Sequence, residues 1–138
     1  VHLVLQVLAT AQVLQKEAQR TFKPHGLTAA QFNVLHLLSG QPAGMRASDL
    51  ARALIVDPSN VTGLLKRMKQ VGLLREIANP RDRRQHVVTL SAKGRAAWGA
   101  ARIDYERKLA ALDAALSTAN REAAEKVLLQ LTDGAASL

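Results

Sequence analysis

The sequence contains no cysteine. Disulfide scaffolds, thiolate metal sites, cysteine nucleophiles and thiol-based redox sensing are therefore excluded. Aromatic residues are almost as scarce: Phe22, Phe32, Trp98 and Tyr105 are the full set. None falls within residues 46–94, which removes from that stretch the stacking platforms that single-strand and RNA binders use. No apolar run approaches the roughly 20 residues needed to span a bilayer. Residues 1–14 are rich in Val and Leu and include Ala9-Thr10-Ala11, but they lack a basic leader and Gln6 interrupts them. They read as a helix rather than an export signal. A start at Val1 in place of Met predicts a trimmed chain, and the cytoplasm is the expected compartment. There is no phosphate-cradling glycine loop, no zinc-protease motif and no local Ser-His-Asp order. His2, His25, His36 and His86 are far apart, with no metal-ligand spacing. No enzyme activity, metal or cofactor is expected.

What is present is helix-forming material. Ala (24) and Leu (22) make up a third of the 138 residues, so the fold should be mainly α. The length suits one domain, or one protomer of a small oligomer. The net charge of +8 is unevenly placed. Residues 46–94 carry 10 basic and 4 acidic side chains, whereas residues 95–138 carry 6 of each. A basic middle between near-neutral flanks points to a polyanionic partner.

Apolar periodicity predicts a first helix over residues 1–22, with Val4, Leu8, Ala11, Leu14, Ala18 and Phe22 on one stripe. Leu3, Leu5, Val7 and Val13 widen that stripe, so a second side should be buried against a partner chain. Pro24-His25-Gly26 breaks the pattern. Thr28 caps a helix to about 38, a short helix covers 47–54, and Asp57-Pro58 opens another that Gly72 stops near 71. Residues 73–77 and 86–90 read as two strands of a hairpin with a charged tip at 79–84. Ser91 caps a long helix reaching about 116, and a last helix covers 119–131. The fold expected is mainly α with a small two-stranded β wing: a winged helix-turn-helix with flanking helices at both ends.

The helix-turn-helix tests well residue by residue. Ala51 is the small residue where the two helices pack closely, and Leu54, Val56, Val61 and Leu64 fill the apolar positions. Ile55 occupies a turn that often holds glycine, which favours a longer connection through Ile55-Val56-Asp57. In the helix after Pro58, Val61, Leu64, Leu65, Met68 and Val71 should face inward. Ser59, Asn60, Thr62, Gly63, Lys66 and Arg67 are left outside, the donor and acceptor set that base edges and phosphates require. Gly63 has two readings, close approach to DNA or a tolerated surface glycine. At the hairpin tip, Arg81, Arg83 and Arg84 crowd around Asp82. Guanidinium groups suit the negative potential of a narrow minor groove, and Asp82 could orient Arg84 through a bidentate pair. Lys69 and Arg75 are candidate phosphate contacts.

Residues 27–94 resemble the MarR family of transcriptional regulators. The resemblance rests on Leu50-Ala51, on Pro58-Ser59-Asn60-Val61-Thr62-Gly63-Leu64, on Gly72-Leu73-Leu74, on Asp82-Arg83-Arg84 and on Leu90-Ser91 with Gly94. Ser91 stands where the family usually has Thr, and either hydroxyl can cap. The resemblance implies a homodimer on double-stranded DNA. Residues 1–26 and 95–138 would form dimerisation helices, and 27–94 a DNA-binding lobe. By position, Ser59, Asn60, Thr62, Gly63, Lys66 and Arg67 match the recognition face, and Asp82 and Arg84 the wing pair. It also implies a ligand-released repressor, with an aromatic acid or phenol as the common effector class. The effector here is not legible; Trp98, Arg95, His25 and His36 are pocket candidates, with core packing the competing role for Trp98. The alternative function is a sequence-independent architectural DNA protein using the same basic wing. A third reading is a dimerisation or protein-binding module.

Overall fold

The computed structural model describes residues 1–54 and 58–138; Ile55, Val56 and Asp57 lie outside the described residues, as do the side chains of Pro58 and Ser59. The cap expected at Asp57 and the apolar position Val56 therefore fall outside the described part. The described elements run α1 (His2–Phe22), a 3₁₀ turn (Lys23–His25), α2 (Ala29–Ser39), α3 (Ala47–Leu54), α4 (Pro58–Gln70), β1 (Leu74–Asn79), β2 (Asp82–Leu90), α5 (Ala92–Ala114) and α6 (Thr118–Ala136). This is the mainly helical fold with a two-stranded antiparallel wing that the pattern predicts. The chain falls into two compact units, Val1–Ile103 and Asp104–Leu138, with α5 contributing to both.

The local rules that start and stop these helices are visible. Thr28 caps α2 with a full capping box: Thr28 Oγ1 accepts from the Gln31 N–H (3.1 Å) and Gln31 Oε1 from the Thr28 N–H (3.0 Å). α4 ends in a Schellman turn. Gly72 sits at φ +81°, its N–H bonds to the Lys69 carbonyl, and the Leu73 N–H reaches back to the Met68 carbonyl.

The core of the first unit is built from the last turn of α1, one side of α2 and the inner faces of α3, α4 and the wing. Phe22 and Phe32 stack with centroids 4.1 Å apart. Val34, Leu35, Leu38, Leu50, Ala51, Val61, Leu65, Met68, Val87 and Val88 are buried around them. One expectation is corrected. Val71 was expected to face inward but is 51% exposed, because α4 ends at Gln70 and the Schellman turn swings the next residue out. Within the chain the α1 stripe is buried at Ala18 and Phe22, and Val4, Leu8 and Leu14 are open on the helix expected to meet a partner chain.

The corner between α4 and β1 is locked to the start of α5. Ser91 Oγ donates to the Gly72 carbonyl (2.5 Å) and accepts from the Gly94 N–H (2.9 Å). The Ser91 N–H bonds to the Leu73 carbonyl (3.1 Å), and Lys93 Nζ donates to the Val71 carbonyl (2.6 Å). Gly94 lies so close to Leu73 that a Cβ there would stand 2.0 Å from its carbonyl oxygen. The Ser-x-x-Gly spacing is thus a cap and a packing gap at a single corner.

Candidate nucleic-acid interface

α4 segregates its side chains. Val61, Leu65 and Met68 are buried and Leu64 is half-buried, whereas Asn60, Thr62, Lys66 and Arg67 are exposed. Gly63 is half-buried, and among the described residues a Cβ there would meet the guanidinium of Arg67, at 3.3 Å. That atom is the end of a flexible exposed side chain, so none of the described residues demands glycine at this position. Ser59 lies within α4, but its side chain is outside the described residues.

The wing is regular from Leu74↔Leu90 to Ala78↔His86, which matches the two short runs read as strands. Pairing resumes at Asn79↔Asp82 after an irregularity, leaving Arg83, Arg84 and Gln85 between two paired positions as a bulge. The tip is therefore tighter than the six-residue loop expected. Two Asx-type turns hold it. Asn79 Oδ1 accepts from the Arg81 N–H (3.0 Å), and Asp82 Oδ1 accepts from the Arg84 N–H (3.1 Å). Arg84 Nε also donates to Asp82 Oδ1 (3.3 Å). Asp82 and Arg84 do meet, but both contacts use one carboxylate oxygen, so the pair is not the bidentate fork expected. The Arg84 side chain is 92% exposed, and Arg81 and Arg83 are also exposed.

The two phosphate candidates differ. Arg75 is exposed on β1, while Lys69 Nζ pairs with Glu76 Oε2 at 2.9 Å across α4 and β1. The hydrogen bond from Lys69 holds the Glu76 carboxyl below its ordinary range. The link is therefore intact at neutral pH and is lost only as pH falls through that lowered value.

Three charged residues outside α4 and the wing were not singled out from the sequence: Arg46, Asp49 and Arg52 converge at the start of α3. Their R-x-x-D-x-x-R spacing, three residues per step on a helix, was the available signal. A second assembly also joins residues far apart in sequence. Trp98 Nε1 donates to His36 Nδ1 (3.2 Å), His36 stacks on Phe32, and the Arg102 guanidinium lies 5.0 Å from the Trp98 ring centroid. Of the pocket candidates, Trp98 and His36 meet, Arg95 is exposed and His25 is half-buried. Among the described residues no group of three or more His, Asp or Glu could hold a metal ion. No described helix is long and apolar enough to cross a membrane.

Comparison with known proteins agrees with this fold. The MarR family profile matches residues 25–85. The transcriptional activatory protein BadR of Rhodopseudomonas palustris is 38% identical over 98 residues, covering 70% of this chain and 56% of BadR. The chain spans 56 to 60% of the length of the first curated relatives it matches. A crystallised MarR family transcription regulator superposes with a TM-score of 0.85 at 30% identity, over 99% of this chain and 91% of that one. The transcriptional repressor CouR, bound to a 23-mer DNA duplex, superposes with a TM-score of 0.77 at 30% identity, over 91% of this chain and 89% of that one. The family is one of regulators, not enzymes, and this chain belongs to it: it is a member of the MarR family of transcriptional regulators.

Proposed function

We propose that the protein is a sequence-specific double-stranded DNA binder that acts as a homodimeric repressor and releases its operator when a small molecule binds. The observation that carries this reading is the presence, in the one unit Val1–Ile103, of a helix with a polar outer face and a wing tipped by arginines. α4 would enter the major groove with Asn60, Thr62, Gly63, Lys66 and Arg67, joined by Ser59. Arg81, Asp82, Arg83 and Arg84 would form the minor-groove wing, and Lys69 and Arg75 would contact phosphates. Residues 27–94 would form the DNA-binding lobe. CouR, the relative seen on a DNA duplex, is itself a repressor.

The homodimer is supported by apolar surface that a single chain leaves bare. Val4, Leu8 and Leu14 on α1 are 45–58% exposed, and Leu112, Leu116, Leu128 and Leu129 in the second unit are 46–59% exposed. Large exposed apolar patches mark interaction sites on small proteins. Residues 1–26 and 95–138 would supply the dimer contacts, holding two copies of α4 roughly 34 Å apart, one helical turn of DNA. An aromatic acid or phenol is the effector class proposed. It must bind the non-binding spacing more tightly, or it shifts nothing.

The test is fluorescence anisotropy on two duplexes across a salt series: the DNA upstream of the protein's own gene, and a scramble of equal composition. Specific binding to the first that survives near-physiological salt is expected. A dimer making six to ten phosphate contacts should lose about 10³- to 10⁵-fold in affinity between about 50 and 200 mM salt. Equal, salt-fragile binding to both duplexes would instead make the protein architectural.

Gly63→Ala is expected to separate the two roles of that position. Alanine should stabilise the free protein by up to about 1 kcal/mol, because it is the better helix former and the Arg67 side chain can move aside. Operator affinity should fall if the bare backbone lies against DNA. Thermal melting and anisotropy on the same sample measure both, and unchanged affinity would make Gly63 a tolerated surface glycine.

A further inference from the structure

Arg46, Asp49 and Arg52 form a charged cluster that neither the α4 face nor the wing accounts for. Arg46 stands at the start of α3, where its carbonyl accepts from the N–H groups of Asp49 and Leu50. Its guanidinium grips Asp49 side-on, with Nε 3.0 Å from Oδ2 and Nη2 3.4 Å from Oδ1. One turn further on, Arg52 Nη2 donates to Oδ1 of the same carboxylate. One anion thus holds two cations, leaving the cluster at +1, and both arginine side chains are solvent-exposed. The hydrogen bond from Arg46, then that from Arg52, keeps the Asp49 carboxyl below the ordinary carboxylate range, so it stays ionised at neutral pH.

Stability gives little reason for this arrangement. An exposed ion pair contributes little, and a second guanidinium on the same carboxylate is repelled by the first. The arrangement does fix two long, flexible side chains in place before any partner arrives. A groove of about 420 Å³ separates the cluster from the wing tip, lined by Arg46 and Asp49 from α3 and its approach, and by Asn79, Pro80 and Arg81 from the wing. The groove is bordered by two arginines and one carboxylate, a balance that suits a single-charged phosphodiester.

We infer that Asp49 is a positioning residue that holds Arg46 and Arg52 ready for backbone phosphates of duplex DNA, with the groove towards Arg81 seating the strand. This rests on the DNA-binding reading above. A guanidinium ordered in advance loses less side-chain freedom on binding, so the gain appears as affinity. Phosphates carry no sequence information, so the effect should be equal on every duplex.

The two ways Asp49 could act on DNA predict opposite signs. If only charge mattered, removing a carboxylate from a DNA-facing surface would tighten binding. If Asp49 positions the arginines, Asp49→Asn should weaken binding by about three- to ten-fold. The loss should be the same on the own-gene duplex and on its scramble. In an Arg46→Ala/Arg52→Ala background, Asp49→Asn should cause no further loss. Anisotropy at fixed low salt reads all of these, with circular dichroism and melting as the check on folding. Tighter or unchanged binding by Asp49→Asn, beside a wild-type protein that binds, overturns the inference and leaves the DNA-binding reading intact. A further loss in the double-alanine background also overturns it. Should Asp49→Asn lower the melting temperature, the single variants Arg46→Ala and Arg52→Ala decide: wild-type affinity in either one overturns the inference. A wild-type protein that binds neither duplex removes both readings together.

Discussion

Arg84→Ala is expected to weaken operator binding by about ten- to a hundred-fold while leaving the fold untouched. The side chain is almost wholly exposed and its ion pair is the single-oxygen contact to Asp82, so the free protein loses little with it. On DNA the same guanidinium would be desolvated in a narrow groove, where the phosphate potential is strongest. The melting temperature should therefore stay within about 2 °C of wild type. Arg84→Lys should recover only part of the affinity, because a compact ammonium lacks the planar fork of donors. Asp82→Ala should fall between the two, since Asp82 also anchors the Arg84 N–H and thereby the backbone of the tip. Anisotropy and thermal melting on the three variants give the comparison. Wild-type affinity in Arg84→Ala would remove the wing from the DNA interface.

Gly94→Ala is expected to produce the largest loss of stability among conservative substitutions. The added methyl would stand 2.0 Å from the Leu73 carbonyl oxygen and 3.0 Å from its carbon. Both are backbone atoms, and that oxygen already accepts from the Ser91 N–H. No rotamer change relieves the clash, so the start of α5 must separate from the α4–β1 corner. We expect a cost of about 3 kcal/mol or more and a fall in melting temperature of roughly 10 °C or more. Gly99→Ala is the internal control. It lies on the same helix with none of the described residues within 4 Å of the added carbon, so it should be stabilising by up to about 1 kcal/mol. Equal melting of Gly94→Ala and wild type would show that the corner is not packed as described.

The features legible in the sequence are those set by local rules. Thr28 with Gln31, Gly72 at a helix end, and Ser91 three residues before Gly94 are each a short pattern with one stereochemical meaning, and each acts in the structure as that pattern requires. The short β-like runs at residues 73–77 and 86–90 marked the regular part of the wing for the same reason. Features that depend on distant partners were not legible. Trp98 and His36 are 62 positions apart, and nothing near either announces a hydrogen bond between them. Gly44, at φ +84° where a Cβ would meet Thr89 and Val88 at 2.8 Å, gives no sign of being opposite β2. Val71 was misplaced because the inward period was carried one residue past Gln70, into the turn that Gly72 closes. Arg46 and Arg52 escaped notice because charges on a short exposed helix look like ordinary solvated surface until one carboxylate is seen to hold both.

The lock between Val71–Leu73 and Ser91–Gly94 also has a mechanical meaning. It makes the C-terminal end of α4 a fulcrum, about which α4 and the α3 helix packed against it would turn as one arm. α4 has 13 residues, so the arm is about 20 Å long. A tilt of about 5° about the fixed end would carry the other end about 1.7 Å sideways, by simple lever geometry on that length. Asn60 and Thr62 ride near the tip of the arm, whereas Lys66 and Arg67 sit nearer the pivot. A small rotation imposed through α5 would therefore displace Asn60 and Thr62 further than Lys66 and Arg67.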